Sequence, residues 1–290
     1  TDVPLKALIR NEIVTVVLRE SVKALPAIPE KLSYAGDKDI VLNDEQESAL
    51  AKINAKIESG EFGVTLMYGV TDSGKTEVYI RVIQKTLELG RSAIVLLPEI
   101  ALTAQTVGRF KARFQRIAVM HSQLTSAQRN AQWHMIKQGK ADVVIGARSA
   151  IFAPLDNVGL IVVDEEHEPS YKQDNVPRYH ARDVAIKRSQ DCGAHCVLGS
   201  ATPSLESLHN CRTKKHYHLV EMKKRVMDLP MPAMKLVDMR HVPHERGVVL
   251  ISPELGQAIA STLARDEQII LLLNRRGYSN FIYCPSCHHS

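Results

Sequence analysis

Apolar residues in this chain gather into short, nearly unbroken runs, separated by longer stretches where they recur at helical spacing. The runs are Val64–Tyr68, Ala93–Leu97, Ile117–Met120, Val143–Ile145, Leu160–Val163 and Cys196–Leu198. Unbroken runs, unlike strict alternation, suit strands that are covered on both faces. Between most of them, residues 75–89, 100–114, 126–138 and 179–190 read as helices. Strands alternating with crossover helices predict one doubly wound α/β domain, a parallel sheet flanked by helices, over about residues 41–222. A further helix should precede the first strand. Asn43 can cap it, Gln46 completes a capping box, and Gly60 ends it after Glu58.

The flanks are less complete. Residues 1–24 hold a short helical stretch, Leu5–Arg10, and a strand-like run, Ile13–Leu18, which together resemble the tail of a preceding domain. Residues 25–40, with Pro26, Pro29 and Gly36, read as a linker. After Lys223-Lys224-Arg225 the pattern restarts: Met234–Met239 reads as a strand, Pro253–Ala264 as a helix and Gln268–Leu273 as a strand. Residues 223–290 are therefore expected to be the start of a second α/β lobe that is incomplete at Ser290.

Composition narrows the class. A hydrophobic share of 44% is enough for a packed core and argues against disorder. No apolar run approaches the ~20 residues of a membrane helix, and Thr1-Asp2-Val3-Pro4 lacks a signal-peptide pattern. A cytoplasmic protein is the expectation. The net charge of +5 permits nucleic-acid binding without arguing for it. The cysteines are odd in number, which argues against a disulfide framework.

Candidate chemistry lies at the ends of the predicted strands. Gly69-Val70-Thr71-Asp72-Ser73-Gly74-Lys75-Thr76 fits G-x-x-x-x-G-K-[ST] between a strand and a helix. Glycines let the backbone N–H groups converge on phosphate oxygens. Lys75 supplies a point charge, and the Thr76 hydroxyl is a hard ligand for Mg²⁺. The motif predicts ATP binding. The strand Leu160–Val163 delivers Asp164-Glu165-Glu166-His167 to the same edge. There Asp164 can hold Mg²⁺ and Glu165 can orient or deprotonate water. Gly199-Ser200-Ala201-Thr202-Pro203-Ser204 follows a third strand and offers small hydroxyls to the acidic cluster.

Taken in order, the helix start with Gln46, the GKT loop, Pro98-Glu99-Ile100-Ala101-Leu102-Thr103, Gly146-Ala147-Arg148-Ser149-Ala150, D-E-E-H and G-S-A-T-P-S resemble a superfamily-two helicase. The stretch from Asp164 to Gln173, and Asn274-Arg275-Arg276-Gly277-Tyr278 followed by Cys284-Pro285-Ser286-Cys287, narrow the resemblance to the PriA-type family of replication-restart helicases. That likeness implies a 3′-to-5′ ATP-driven DNA helicase acting at stalled forks with primosome proteins and single-stranded DNA-binding protein. It also implies that residues 1–24 end a winged-helix-like domain.

The likeness places Gln46 near adenine and Lys75, Thr76, Asp164 and Glu165 on phosphate, metal and water. His167, Ser200, Ala201 and Thr202 would couple hydrolysis to motion. Thr103, Arg148, Tyr171, Lys172 and Tyr179 would contact single-stranded DNA. Cys284 and Cys287 would be two of the ligands of a Zn²⁺ site that is incomplete in this chain, so zinc is not expected to bind here. Lacking the second lobe's arginine motifs, the isolated chain should show little ATPase and no unwinding. The alternative reading is a catalytically silent module that binds DNA or a partner.

Asp72 departs from the family pattern, which usually has glycine there. A carboxylate ~6 Å from a phosphate charge costs roughly 3 kcal/mol at an effective dielectric of ~20. Nucleotide binding is expected to be weakened, so Asp72→Gly should tighten it. Titrating ATP against both chains checks this, and equal affinities would remove the effect.

Overall fold

The computed structural model describes residues 40–226, 230, 233–239 and 251–272. The expectations for residues 1–24, most of the linker, and Cys284 and Cys287 lie outside them. The chain divides into two units, Thr1–Leu229 and Pro230–Ser290.

In the first unit, α1 (Asp44–Glu58) carries the capping box expected from sequence. The Asn43 side chain accepts from the Gln46 amide at 2.9 Å, and the Asn43 amide donates to the Gln46 side chain at 2.9 Å. Then come β1 (Gly63–Gly69), α2 (Lys75–Glu88), β2 (Ser92–Leu96), α3 (Ala104–Arg113), β3 (Ile117–Met120), α4 (Ser126–Lys137), β4 (Val143–Gly146) and β5 (Val158–Val163). After β5 lie β6 (Lys172–Gln173), β7 (Tyr179–His180), α5 (Ala181–Cys192), β8 (His195–Ser200), α6 (Leu205–Thr213) and β9 (Tyr217–Met222). Seven strands form one sheet in the order β3-β4-β2-β5-β8-β1-β9. Every pairing in it is parallel. β6 and β7 form a separate antiparallel ribbon.

The unbroken apolar runs are explained by the two faces of this sheet. Leu66, Ile94, Leu96, Val144, Ile161 and Leu198 face one buried layer, closed by Ile136 of α4 and Ala181 and Ala185 of α5. Met67, Val95, Ile145, Leu160, Val162 and Val197 face the other. That second layer is closed by Ile53 of α1, Val78 and Ile83 of α2 and Phe110 of α3. Helices on both faces force the strands to be apolar at successive positions. The fold is that of an α/β P-loop nucleoside-triphosphatase domain.

The six expected strands are present, with bounds shifted by up to two residues; β2 starts one residue earlier and ends one residue earlier than expected. The seventh, β9, was not anticipated: its burial alternates at the sheet edge, so it does not form an unbroken run. α6 was also missed; it is short and polar, and its start depends on Ser204, whose side chain accepts from the Ser207 amide at 3.3 Å. The helix expected over 100–114 splits. Glu99–Ala101 is a 3-10 turn, and Thr103 restarts the chain by accepting from the Thr106 amide at 3.2 Å.

In the second unit, α7 (Pro253–Ala264) has the bounds expected from sequence, capped by Ser252. The strands expected at Met234–Met239 and Gln268–Leu273 do not form within the described residues. Met234, Leu236, Ile270 and Leu272 are exposed there. Apolar β-type residues make a strand only where a ladder partner completes the hydrogen bonds, and none pairs with these segments among the described residues.

Ile161 is wholly buried in β5, near the centre of the sheet. Ile161→Ala should cost about 2–5 kcal/mol of unfolding free energy, read as a lowered denaturant midpoint with an unchanged slope.

Candidate functional site

The carboxyl ends of β1, β5 and β8 bring the predicted motifs together. After β1, the amide of Val70 donates to Met222 O at 3.0 Å, and that of Ser73 to Val70 O at 3.0 Å, so the chain curls tightly. Gly74 closes the curl at φ 80°, a left-handed conformation that favours glycine. A β-carbon there would lie 2.2 Å from Gln46 Nε2, which instead donates to Ser73 O at 2.9 Å. Gln46 therefore braces the loop from α1. Lys75 and Thr76 open α2, and their amides are available to an anion, whereas the Glu77 amide donates to Gly74 O at 3.0 Å.

Lys75 Nζ donates to Gly69 O at 3.0 Å and lies 3.9 Å from Glu165 Oε1. The phosphate-loop lysine and the acidic pair are thus within reach of one bound group. Both border a pocket of about 530 Å³, with Gln46, Thr71, Asp72, Ser73, Gly74, Thr76, Arg109, Asp164 and Arg225 among its lining. Ser73 Oγ is buried there without a hydrogen-bond partner. Buried Lys75, the amides of Lys75 and Thr76 and this orphaned hydroxyl fit a polyphosphate; the Thr76 hydroxyl and the Asp164 carboxylate fit a hard cation.

Asp72 takes a left-handed backbone, φ 63°, but its side chain is 76% exposed. Its Oδ2 lies 3.8 Å from Arg225 Nη2, and its carbonyl accepts from the Val226 amide at 2.8 Å. The carboxylate thus faces solvent and an arginine. Solvent screens such a charge, so the full repulsion expected for an acid aimed at the phosphates does not apply.

Asp164 directly follows β5, and its amide donates to Leu96 O at 2.9 Å. Its carboxyl is pushed up to about 6, first by burial and then by the neighbouring Glu165 charge. The Tyr79 hydroxyl donates to Asp164 Oδ1 at 2.9 Å, and Lys75 is nearby; both oppose that rise. Burial and the adjacent acids hold Tyr79 well above its ordinary value, so it remains a donor. Glu165 adopts φ 46°, a backbone that costs a non-glycine residue about 1–3 kcal/mol and clusters at functional sites.

His167 joins the third motif. Its Nδ1 is 2.8 Å from Ser200 Oγ and 3.7 Å from Glu165 Oε2, and its Nε2 is 3.4 Å from Thr202 Oγ1. The Thr202 amide donates to Ser200 Oγ at 2.9 Å, which places Ala201 within the same turn. Glu166 is fully buried beneath this surface. It accepts from Arg182 at 2.9 Å, from the Ser204 amide at 2.7 Å and from the Ser207 hydroxyl at 3.0 Å. The acidic motif and the start of α6 are therefore locked together by a satisfied buried network.

The residues expected to contact DNA differ in exposure. Thr103 and Lys172 are exposed, and Arg148 and Tyr179 are half-buried. Arg148 Nη1 donates to Lys172 O at 2.6 Å and Ser170 O at 3.2 Å, and Tyr179 packs edge-on against Phe152. Tyr171 is buried at 1% exposure, and its hydroxyl is shared between Asp164 O at 2.7 Å and Leu96 O at 3.1 Å. It therefore does not present its ring to a ligand and instead fixes the backbone beneath Asp164.

The model of the family described as DEAD/DEAH box helicase matches residues 43–211, which span this sheet and all three motifs. The chain belongs to the DEAD/DEAH box helicase family. This helicase chain is 45% identical over 273 residues to the replication restart protein PriA of Bacillus subtilis, covering 93% of the chain and 34% of that relative. It is 42% identical over 264 residues to the replication restart protein PriA of Chlamydia muridarum, covering 90% and 35%. The chain thus spans about a third of the length of these curated relatives. The family implies use of ATP and Mg²⁺. Among the described residues no helix is long and apolar enough to cross a membrane, and no group of three or more His, Cys, Asp or Glu side chains could hold a metal ion.

Sequence reasoning passed over Tyr79, Glu166, Arg182 and Arg225. Tyr79 carried a usable signal, since it lies four residues after Lys75 and so on the same face of the helix. Glu166 stood inside the acidic motif, but its buried anchoring role depends on Arg182, Ser204 and Ser207, and Arg182 and Arg225 reach the helicase site only by tertiary packing.

A raised carboxyl implies a definite pH dependence. Asp164 holds its proton more readily in the folded than in the unfolded chain, so its contribution to stability is full below about pH 4 and is lost as pH rises through about 6. Asp164→Asn should melt above the parent at pH 7.5, with the gap closing as pH falls to about 4. A variant that melts no higher at pH 7.5 contradicts this.

Proposed function

We propose that this chain is the ATP-binding motor lobe of a 3′-to-5′ DNA helicase of replication restart, acting in the cytoplasm on forked and single-stranded DNA with primosome proteins and single-stranded DNA-binding protein. The observation that carries the motor reading is the 3.9 Å approach of Lys75 to Glu165 across the phosphate-loop pocket. The kinship to replication restart proteins supports the biological setting.

In this reading Gln46 borders the base, and Gly69, Val70, Thr71, Ser73 and Gly74 shape the cradle around the phosphates. Lys75 releases the Gly69 carbonyl to pair with phosphate oxygen. Thr76 and Asp164 hold Mg²⁺, which neutralises charge on the phosphates when bound. Glu165 orients the attacking water and accepts its proton. His167 passes the state of this edge to Ser200 and Thr202, which already touch it. Thr103, Arg148, Lys172 and Tyr179 contact DNA, while Tyr171 fixes the backbone beneath Asp164. Zn²⁺ bound through Cys284 and Cys287 belongs to the complete protein.

Binding of a fluorescent ATP analogue, followed by anisotropy, tests the proposal. Lys75→Ala should weaken it about 10-fold or more, the loss expected for a charge-assisted hydrogen bond. Glu165→Gln should bind the analogue yet lose whatever DNA-stimulated hydrolysis the parent shows. A parent chain that binds no nucleotide overturns the reading.

A further inference from the structure

Tyr79 is among the most deeply buried large side chains in the molecule, yet its hydroxyl ends at the acid assigned to the cation. The ring, 1% exposed, packs in the layer formed by α1, α2 and α3. The hydroxyl donates to Asp164 Oδ1 at 2.9 Å, from a residue one helical turn after Lys75. The neighbouring strand leaves room for this contact. A β-carbon on Gly199 would sit 1.6 Å from the Tyr79 hydroxyl oxygen and 3.2 Å from Asp164 Oδ1. Gly199 has no positive φ, so space rather than backbone conformation requires glycine there. The main chain of Asp164 is fixed separately, its amide donating to Leu96 O and its carbonyl accepting from Tyr171. With the backbone pinned, side-chain rotation is the freedom left to this carboxylate, and the Tyr79 bond removes it.

We propose that Tyr79 is a positioning residue that holds the Asp164 carboxylate in the orientation that receives the divalent cation of the nucleotide. The helix that opens with the phosphate-binding lysine would then also aim the metal-holding acid, linking the two halves of the site through one rigid element. The inference rests on the nucleotide-binding reading above. The competing explanation is that the hydroxyl merely satisfies a buried polar atom. In that case its removal would affect folding and leave the metal requirement unchanged.

The experiment uses the 290-residue chain and a fluorescent, non-hydrolysable ATP analogue titrated at increasing Mg²⁺, with parallel titrations in EDTA. Tyr79→Phe keeps the ring and removes the donor. It should raise the Mg²⁺ concentration for half-saturation about 10-fold, the usual cost of losing a partner that orients a metal ligand. Metal-free affinity for the analogue should stay at the parent value, and melting should remain cooperative. In an Asp164→Asn background, the same substitution should produce no further shift in Mg²⁺ requirement.

An unchanged Mg²⁺ requirement in Tyr79→Phe overturns the inference and leaves the nucleotide reading standing. So does an equal shift in the Asp164→Asn background, an equal loss of metal-free affinity, or loss of cooperative melting. A parent chain with no metal-dependent binding overturns both.

Discussion

The arrangement of the site depends on one constraint: every strand of the main sheet points the same way. In a parallel sheet all carboxyl ends open onto one edge, so the loop after β1, the acids after β5 and the hydroxyls after β8 must meet there. The 3.9 Å separation of Lys75 from Glu165 is a product of that geometry. Residues far apart in sequence become neighbours because β5, β8 and β1 lie side by side in the sheet.

Rigidity at this edge comes from below. Glu166 and Tyr171 are buried and fully committed to hydrogen bonds, whereas Glu165 and His167, between and beside them, remain accessible. Neighbouring residues of one loop thus divide into buried anchors and accessible side chains. A buried carboxylate such as Glu166 is tolerable because an arginine, a backbone amide and two hydroxyls surround it.

Much of this was readable from local pattern. The capping box at Asn43 and Gln46, the glycine-bounded phosphate loop and the apolar runs each report on a few neighbouring residues, and each is present as expected. What escaped depends on distant partners. The strand β9 alternates because it lies at an edge, and the approach of Arg225 to Asp72 joins residues remote in sequence. The burial of Tyr171 reflects carbonyls at the ends of two different strands, Leu96 closing β2 and Asp164 just after β5, which no spacing rule encodes. Conversely, Met234–Met239 has the composition of a strand, but among the described residues no neighbouring strand forms a ladder with it.

The stitching around Asp72 has a mechanical corollary. The Val70 amide donates to Met222 O and the Val226 amide to Asp72 O, so the loop after β1 and the chain leaving the last strand are stitched to each other. Any reshaping of that loop must carry residues 222–226 along or break these two bonds.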